Sequence, residues 1–173
     1  HKFHFKYLHT TNFFTMNKQD YWLIKSDYKI IEKMYLNRIY DKIIKFCRED
    51  DIILDFGCGK GYFKKRNPNF KIINYDIARE LSEVEDYTKE KATIITCCHV
   101  LEHLTPDEIR KHLRNFKKMK PRLLIVVTPT ENIIHKIMKI LISENLDLGH
   151  ITKLNQINKI LREEFYLLKK RRI

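Results

Sequence analysis

The sequence predicts an α/β domain built on a mostly parallel sheet, and three observations carry that prediction. Short apolar runs recur at Ile52–Phe56, Phe70–Tyr75, Thr93–Cys98 and Leu123–Thr128, each of strand length. Stretches with helical apolar spacing lie before, between and after them. Three of the four glycines fall in one turn, Gly57-Cys58-Gly59-Lys60-Gly61, directly behind the first run. Strands apolar along their whole length suit a sheet covered on both faces, and strands alternating with helices are the pattern of parallel sheets.

Taken in order, residues 1–26 are polar and aromatic without clear periodicity and read as an N-terminal extension. From Asp27 to Cys47, Ile30, Ile31, Met34, Ile39, Ile43, Ile44 and Cys47 recur at helical spacing, with Asp27 as a plausible N-cap. The strand Ile52–Phe56 follows and is cut off by glycine. Between the third and fourth strands, Ile109, Leu113 and Phe116 mark one face of a helix over Pro106–Met119, with Pro106 suited to its first turn. Glu131–Ile142 and Leu154–Phe165 read as helices, and Tyr166–Ile173 as a closing strand. Residues 27–173 therefore form a single domain. At 173 residues, such a chain buries roughly 70% of its unfolded surface and needs no disulfide or metal staple.

Charge and cysteine content narrow the partners. Lys and Arg number 34 against 22 Asp and Glu, a net charge of +12, which attracts polyanions and makes nucleic acid a possible partner. The competing reading is compositional, because the chain is rich in Ile, Lys and Asn and holds only two alanines, Ala78 and Ala92. Cys47, Cys58, Cys97 and Cys98 form no C-x-x-C pair, so reduced thiols and no metal site are expected. No apolar run reaches membrane-spanning length. A cytoplasmic protein is expected.

The glycine turn and the next strand end belong together. Glycine permits positive φ and close approach of the backbone to a ligand, at the carboxyl ends of an open sheet. A tight strand-to-helix turn accounts for such a motif equally well on its own. The second strand ends at Asp76, where a carboxylate would accept hydrogen bonds from both ribose hydroxyls of a nucleoside. Without the glycine turn, Asp76 would read equally well as a surface aspartate after a strand.

Three ordered motifs then carry a resemblance that spans residues 27–165. Ile53-Leu54-Asp55-Phe56-Gly57-Cys58-Gly59-Lys60-Gly61 resembles the first motif of class I S-adenosylmethionine-dependent methyltransferases. Asn74-Tyr75-Asp76-Ile77 resembles their second. Cys97-Cys98-His99-Val100-Leu101-Glu102-His103-Leu104 resembles the fourth-strand motif of the small-molecule, ubiquinone-biosynthesis-like branch. Dinucleotide-binding proteins would carry G-x-G-x-x-G, a pattern this turn does not complete.

The resemblance implies a Rossmann-like sheet with helices on both faces, and S-adenosylmethionine as cofactor. It implies that Phe56, Gly57, Cys58, Gly59 and Gly61 pack against the methionine and ribose. Asp55 would order that turn and hold the cofactor's ammonium. Asp76 would bind the ribose hydroxyls, with Ile77 against adenine. Cys98 and His99 would line the methionine and sulfonium side. His99, His103 and His150 are the candidate catalytic bases, His150 being placed by Gly149 near the end of the chain. The alternative for His150 is a loop residue behind a helix-ending glycine.

His99-Val100-Leu101-Glu102-His103 is also a literal H-x-x-E-H, the inverted zinc-protease pattern. Zinc chemistry needs both histidines on one helical face and a third ligand. The motif here leaves a strand, so no metal is assigned. Glu102 and His103 capping the next turn is the third reading.

Two departures from the family follow from chain length. Residues 77–92 are too few for two crossovers of at least ~10–12 residues each plus a strand. The third-strand region is therefore shortened, and only Glu85 or Asp86 is left to read the adenine amino group. Likewise one strand alone follows the last helix, so the C-terminal hairpin is incomplete.

The expected function is methyl transfer from S-adenosylmethionine to a small-molecule acceptor, since the proline-containing motifs of amino-methylating nucleic-acid enzymes are missing. The alternative is a catalytically silent module of the same fold that binds RNA or a protein partner. For the N-terminal aromatics Phe3, Phe5, Tyr7, Phe13, Phe14, Tyr21 and Trp22 three roles are open: packing on the sheet, which is slightly favoured, a lid over a small acceptor, or stacking on nucleic acid.

Overall fold

The computed structural model describes residues 3–11, 30–130 and 151–172. The strands are β1 (Phe3–Thr11), β2 (Ile52–Phe56), β3 (Lys71–Tyr75), β4 (Ile94–Cys98), β5 (Leu123–Thr130) and β6 (Phe165–Arg172). The helices are α1 (Ile30–Ile44), α2 (Tyr62–Arg66), α3 (Pro106–Met119) and α4 (Leu154–Glu164), with 3-10 turns at Arg79–Leu81, Tyr87–Lys89 and Leu101–His103. Among the described residues no helix is long and apolar enough to cross a membrane. The expected cap Asp27, the helix over Glu131–Ile142 and His150 lie outside the described residues.

The six strands form one sheet in the order β3-β2-β4-β5-β1-β6, and every neighbouring pair is parallel. Side chains alternate between its two faces. Leu54, Phe56, Ile95, Cys97, Leu124 and Val126 pack with Ile109, Leu113 and Phe116 of α3 and Ile157, Ile160 and Leu161 of α4. Ile53, Ile94, Leu123, Ile125 and Val127 pack on the other face with Ile39, Tyr40 and Ile43 of α1 and Phe63 of α2. Burial on both faces is why these strands are apolar at consecutive positions, as in Ile52-Ile53-Leu54 and Leu123–Val127, rather than at every second one. Thr105 and Glu108 form a capping box that starts α3, and Lys120 in the left-handed region ends it.

Residues 3–11 correct the expected extension or lid. They enter the sheet as β1, Phe5 opposite Leu124 and Phe3 opposite Phe165. The alternation Phe3, Phe5, Tyr7 against His4 and Lys6 is a period of two, the strand signature. The last strand also pairs parallel with β1, so the described sheet has no antiparallel member.

As the length of 77–92 required, among the described residues no strand lies outside β3. The segment closes that edge by other means. Glu83 N–H donates to Asn74 O at 3.0 Å, and its carboxylate accepts from Asn74 N–H at 3.2 Å and from Lys64 Nζ at 2.7 Å. One residue thus satisfies backbone groups that a further strand would have paired. Tyr87, 4% exposed, plugs the space beneath. Its ring lies 4.7 Å from Tyr75 and 5.1 Å from Phe56, and its hydroxyl pairs with His112 Nδ1 at 2.7 Å and accepts from Asn115 Nδ2 at 3.0 Å.

At the amino-terminal ends of the strands, Asp51 ties β2, β4 and β5 together. It accepts from Arg122 Nε at 3.0 Å and again from Arg122 Nη2, from Arg48 N–H at 2.6 Å, and from Thr93 Oγ1 at 2.7 Å. Burial pushes its carboxyl up, but the hydrogen bonds from Arg122, Arg48 and Thr93 outweigh this and bring it down to about 2. The folded state therefore gains stability from Asp51 above its ordinary value of 3.8 and loses it as the pH falls toward 2. Asp51→Ala is expected to cost about 2–3 kcal/mol in urea unfolding at pH 7, less than a fully buried pair because Arg122 is partly exposed. It should leave ligand binding at the carboxyl ends unchanged; a matching loss of cofactor affinity would show that this knot reaches the site.

Candidate cofactor site

The carboxyl ends of β2, β3 and β4 converge, and the turn behind β2 is built only as glycine permits. Gly57, Gly59 and Gly61 have φ of 78°, 51° and 67°, the left-handed region that side chains rarely enter. A Cβ on Gly57 would lie 2.2 Å from Val100 Cγ2, and one on Gly61 would lie 2.7 Å from Asn74 Nδ2. The turn is pressed against the segment that leaves β4 on one side and against β3 on the other.

Its amides are spent inside the protein. Gly57 and Cys58 N–H donate to Tyr75 O at 2.8 and 3.0 Å, Gly61 N–H donates to Cys58 O at 3.0 Å, and Gly59 N–H donates to Asp76 Oδ2 at 2.8 Å. A phosphate-binding turn keeps such donors for ligand oxygens. This turn instead gathers acceptors. Asp76, 8% exposed, also takes Ala78 N–H on Oδ1 at 3.0 Å. Each of its oxygens keeps a second lone pair for a ligand donor.

Asp55 is buried at the end of β2, where Thr96 Oγ1 donates to its Oδ1 at 2.8 Å. Burial pushes its carboxyl up to about 7, the Thr96 bond opposes this, and the charge of Asp76 adds to it. Next to Asp76, Ile77 is 92% exposed, an apolar side chain left in water at the strand tip. Two carboxylates and an exposed apolar surface suit a ligand with a cationic head, vicinal hydroxyls and a flat ring. They are ill suited to a pyrophosphate.

The other predicted residues divide. Phe56 is corrected: its ring lies within 5.3 Å of Tyr75, Tyr87, His112 and Phe116 in the core under α3, on the face opposite Asp55. Cys58 donates weakly to Leu81 O at 3.5 Å, and burial, with Asp55 and Asp76 nearby, pushes its thiol up to about 12. Burial likewise raises the Cys98 thiol well above its usual value, with the charges of Asp55 and Glu102 adding to it. Neither thiol is a nucleophile at neutral pH. His99 follows β4 with φ 58° and its Nδ1 lies 3.3 Å from Glu102 Oε1. His103 is exposed at the end of its 3-10 turn. Asp86 caps the turn at Tyr87 by accepting from Thr88, and Glu85 pairs with Arg79, so both expected adenine readers are engaged within their own loop.

A family model described as a methyltransferase domain matches residues 29–163. The chain belongs to the methyltransferase-domain family. Among solved structures, a SAM dependent methyltransferase from Archaeoglobus fulgidus is similar in fold, with a TM-score of 0.58 and 22% identity over 83% of this chain and 72% of that one. No curated protein matches the chain. The class I resemblance carried by the three motifs therefore stands, and with it the enzyme class and S-adenosylmethionine as cofactor. The carboxylate pair, the amide-poor glycine turn and exposed Ile77 fit that group.

Two contributors escaped the sequence reading. Thr96, inside an apolar run, gives no signal until its register opposite Asp55 is known. Glu102 is visible in the motif, but its burial is not.

Proposed function

We propose that this methyltransferase domain acts on a small-molecule acceptor in the cytoplasm. In this reading Asp76 holds the ribose hydroxyls, Asp55 the ammonium, and Ile77 lies against the adenine, while Gly57, Gly59 and Gly61 let the cofactor approach. Cys98 and His99 border the methyl-donating side. The observation that carries the reading is the exchange of donors for acceptors at the turn. Gly59 N–H is bound by Asp76 at 2.8 Å instead of facing outward, so the cradle suits a positively charged nucleoside. Free thiols at Cys47, Cys58, Cys97 and Cys98 agree with a reducing compartment.

When bound, the cofactor supplies an activated methyl group on a good leaving group. The protein's own work is then alignment and exclusion of water. The resemblance of the segment Cys97–Leu104 to the small-molecule branch supports a small acceptor, and the net charge of +12 puts anionic acceptors first for screening.

The test is calorimetric titration with S-adenosylhomocysteine of the wild type and of Asp76→Ala. Micromolar affinity is expected for the first, weakened about 100-fold or more in the second, because two charge-assisted hydrogen bonds are each worth ~1.5–3 kcal/mol. Folded wild-type protein that fails to bind at millimolar ligand would overturn the cofactor assignment.

A further inference from the structure

The end of β4 carries two costs that the cofactor cradle does not explain. His99 holds a left-handed backbone, φ 58°, which is unfavourable for a residue with a Cβ. Glu102, three residues on, is 3% exposed, and its Oε2 is buried with no hydrogen-bond partner among the described residues. A buried carboxylate with one oxygen unpaired is costly where an apolar side chain would cost nothing. Among the described residues the partner of this carboxylate is His99, whose Nδ1 lies 3.3 Å from Oε1.

The surroundings hold this pair in place. Glu102 O accepts from Ile151 N–H at 2.9 Å and Thr152 N–H at 3.3 Å, and Thr152 Oγ1 donates to Leu104 O at 2.5 Å. His103 N–H donates to Val100 O at 3.0 Å, and His99 N–H to Val127 O at 2.8 Å. Val100, the neighbour of His99, is the residue pressed onto Gly57. The backbone that carries His99 is therefore anchored next to the residue that abuts the cradle, and the His99 side chain is 26% exposed.

We propose that Glu102 is a positioning residue that holds His99 in the Nδ1–H tautomer and so leaves the basic lone pair on Nε2. The inference rests on the methyltransferase reading and extends it to the acceptor. An ionised carboxylate only accepts, so a hydrogen bond to it requires the proton on Nδ1. The other nitrogen is then the base. A neutral O–H or N–H acceptor gives its proton to Nε2, the imidazole becomes imidazolium, and the electron pair left on oxygen or nitrogen is the attacking nucleophile. A carboxylate acceptor has no such proton to give, so the pair selects the hydroxyl or amine class.

The experiment is long-range proton–nitrogen NMR of 15N-histidine-labelled protein at about pH 9, where an ordinary imidazole is neutral. His99→Gln assigns the resonance. The expected result is an Nδ1–H imidazole in the wild type that switches to Nε2–H in Glu102→Leu. A wild-type His99 in the Nε2–H form, as when a protonated Glu102 donates to bare Nδ1, overturns the proposal. So does an Nδ1–H form that persists in the leucine variant. If that variant does not fold, the wild-type tautomer alone decides. Titration with S-adenosylhomocysteine on the same samples keeps the two readings apart. Loss of binding in the wild type removes the cofactor assignment, whereas intact binding with the wrong tautomer removes only the role of Glu102.

Discussion

Asp55→Asn is expected to stabilise the ligand-free protein at pH 8 while weakening its hold on the cofactor. The Asp55 carboxyl is pushed up to about 7 from 3.8, first by burial and further by Asp76. A raised acid binds its proton more tightly in the folded state, so the folded protein loses stability as pH climbs from about 4 to about 7 and none beyond. The full span corresponds to something on the order of 4 kcal/mol. Asparagine keeps the oxygen that accepts from Thr96 Oγ1 and never ionises. The gap between variant and wild type in urea unfolding should therefore be near zero at pH 4 and widen toward pH 7. A gap independent of pH would refute the assignment.

The same residue makes binding proton-linked. An ammonium beside Asp55 favours the carboxylate, so near pH 6.5 the wild type should release a proton on binding S-adenosylhomocysteine. Calorimetry in buffers of different ionisation enthalpy reads this directly. Asp55→Asn should release none and should bind roughly 10–100-fold more weakly, the worth of one charged hydrogen bond. Stability set aside at a site for function is the expected pattern where a group is held in the wrong charge state until its ligand arrives.

The sequence made the central strands legible because burial on both faces leaves little room for polar residues in β2, β4 and β5. It was less informative where tertiary partners decide. Asp51 and Arg122 stand 71 residues apart and meet only because the parallel order brings the starts of β2 and β5 to one end of the sheet. Counting residues 77–92 showed that a strand had to be missing, but Glu83 as its replacement depends on a carboxylate reaching the Asn74 amide. Phe56 was misplaced by reading the strand end as a continuous motif. Neighbours on a strand point to opposite faces, so Asp55 at the site puts Phe56 in the core. β1 was hidden because His and Lys fill alternate positions of an otherwise visible period of two.

Gly57→Ala should be the most damaging single methyl in the domain. Two separate penalties meet there. The φ of 78° costs an alanine about 1–2 kcal/mol. Its Cβ would also stand 2.2 Å from Val100 Cγ2 and 3.1 Å from Cγ1, so the isopropyl group has to move or the turn has to open. Overpacking of this kind costs about 1–3 kcal/mol, and together the two should take ~2–5 kcal/mol from stability and abolish cofactor binding. The contributions separate in a double-mutant cycle. Val100→Ala removes both clashing methyl groups and leaves only Val100 Cβ, at 3.2 Å. In that background the alanine at 57 should cost only its backbone strain, a coupling of about 1–3 kcal/mol between the two positions. Additive losses would mean that backbone strain alone excludes a side chain at Gly57. A coupling of the expected size would mean that the close contact with the segment leaving β4 also requires glycine there. That contact joins the turn to His99 and Glu102, so the cycle also measures how firmly the cofactor cradle is tied to the acceptor side.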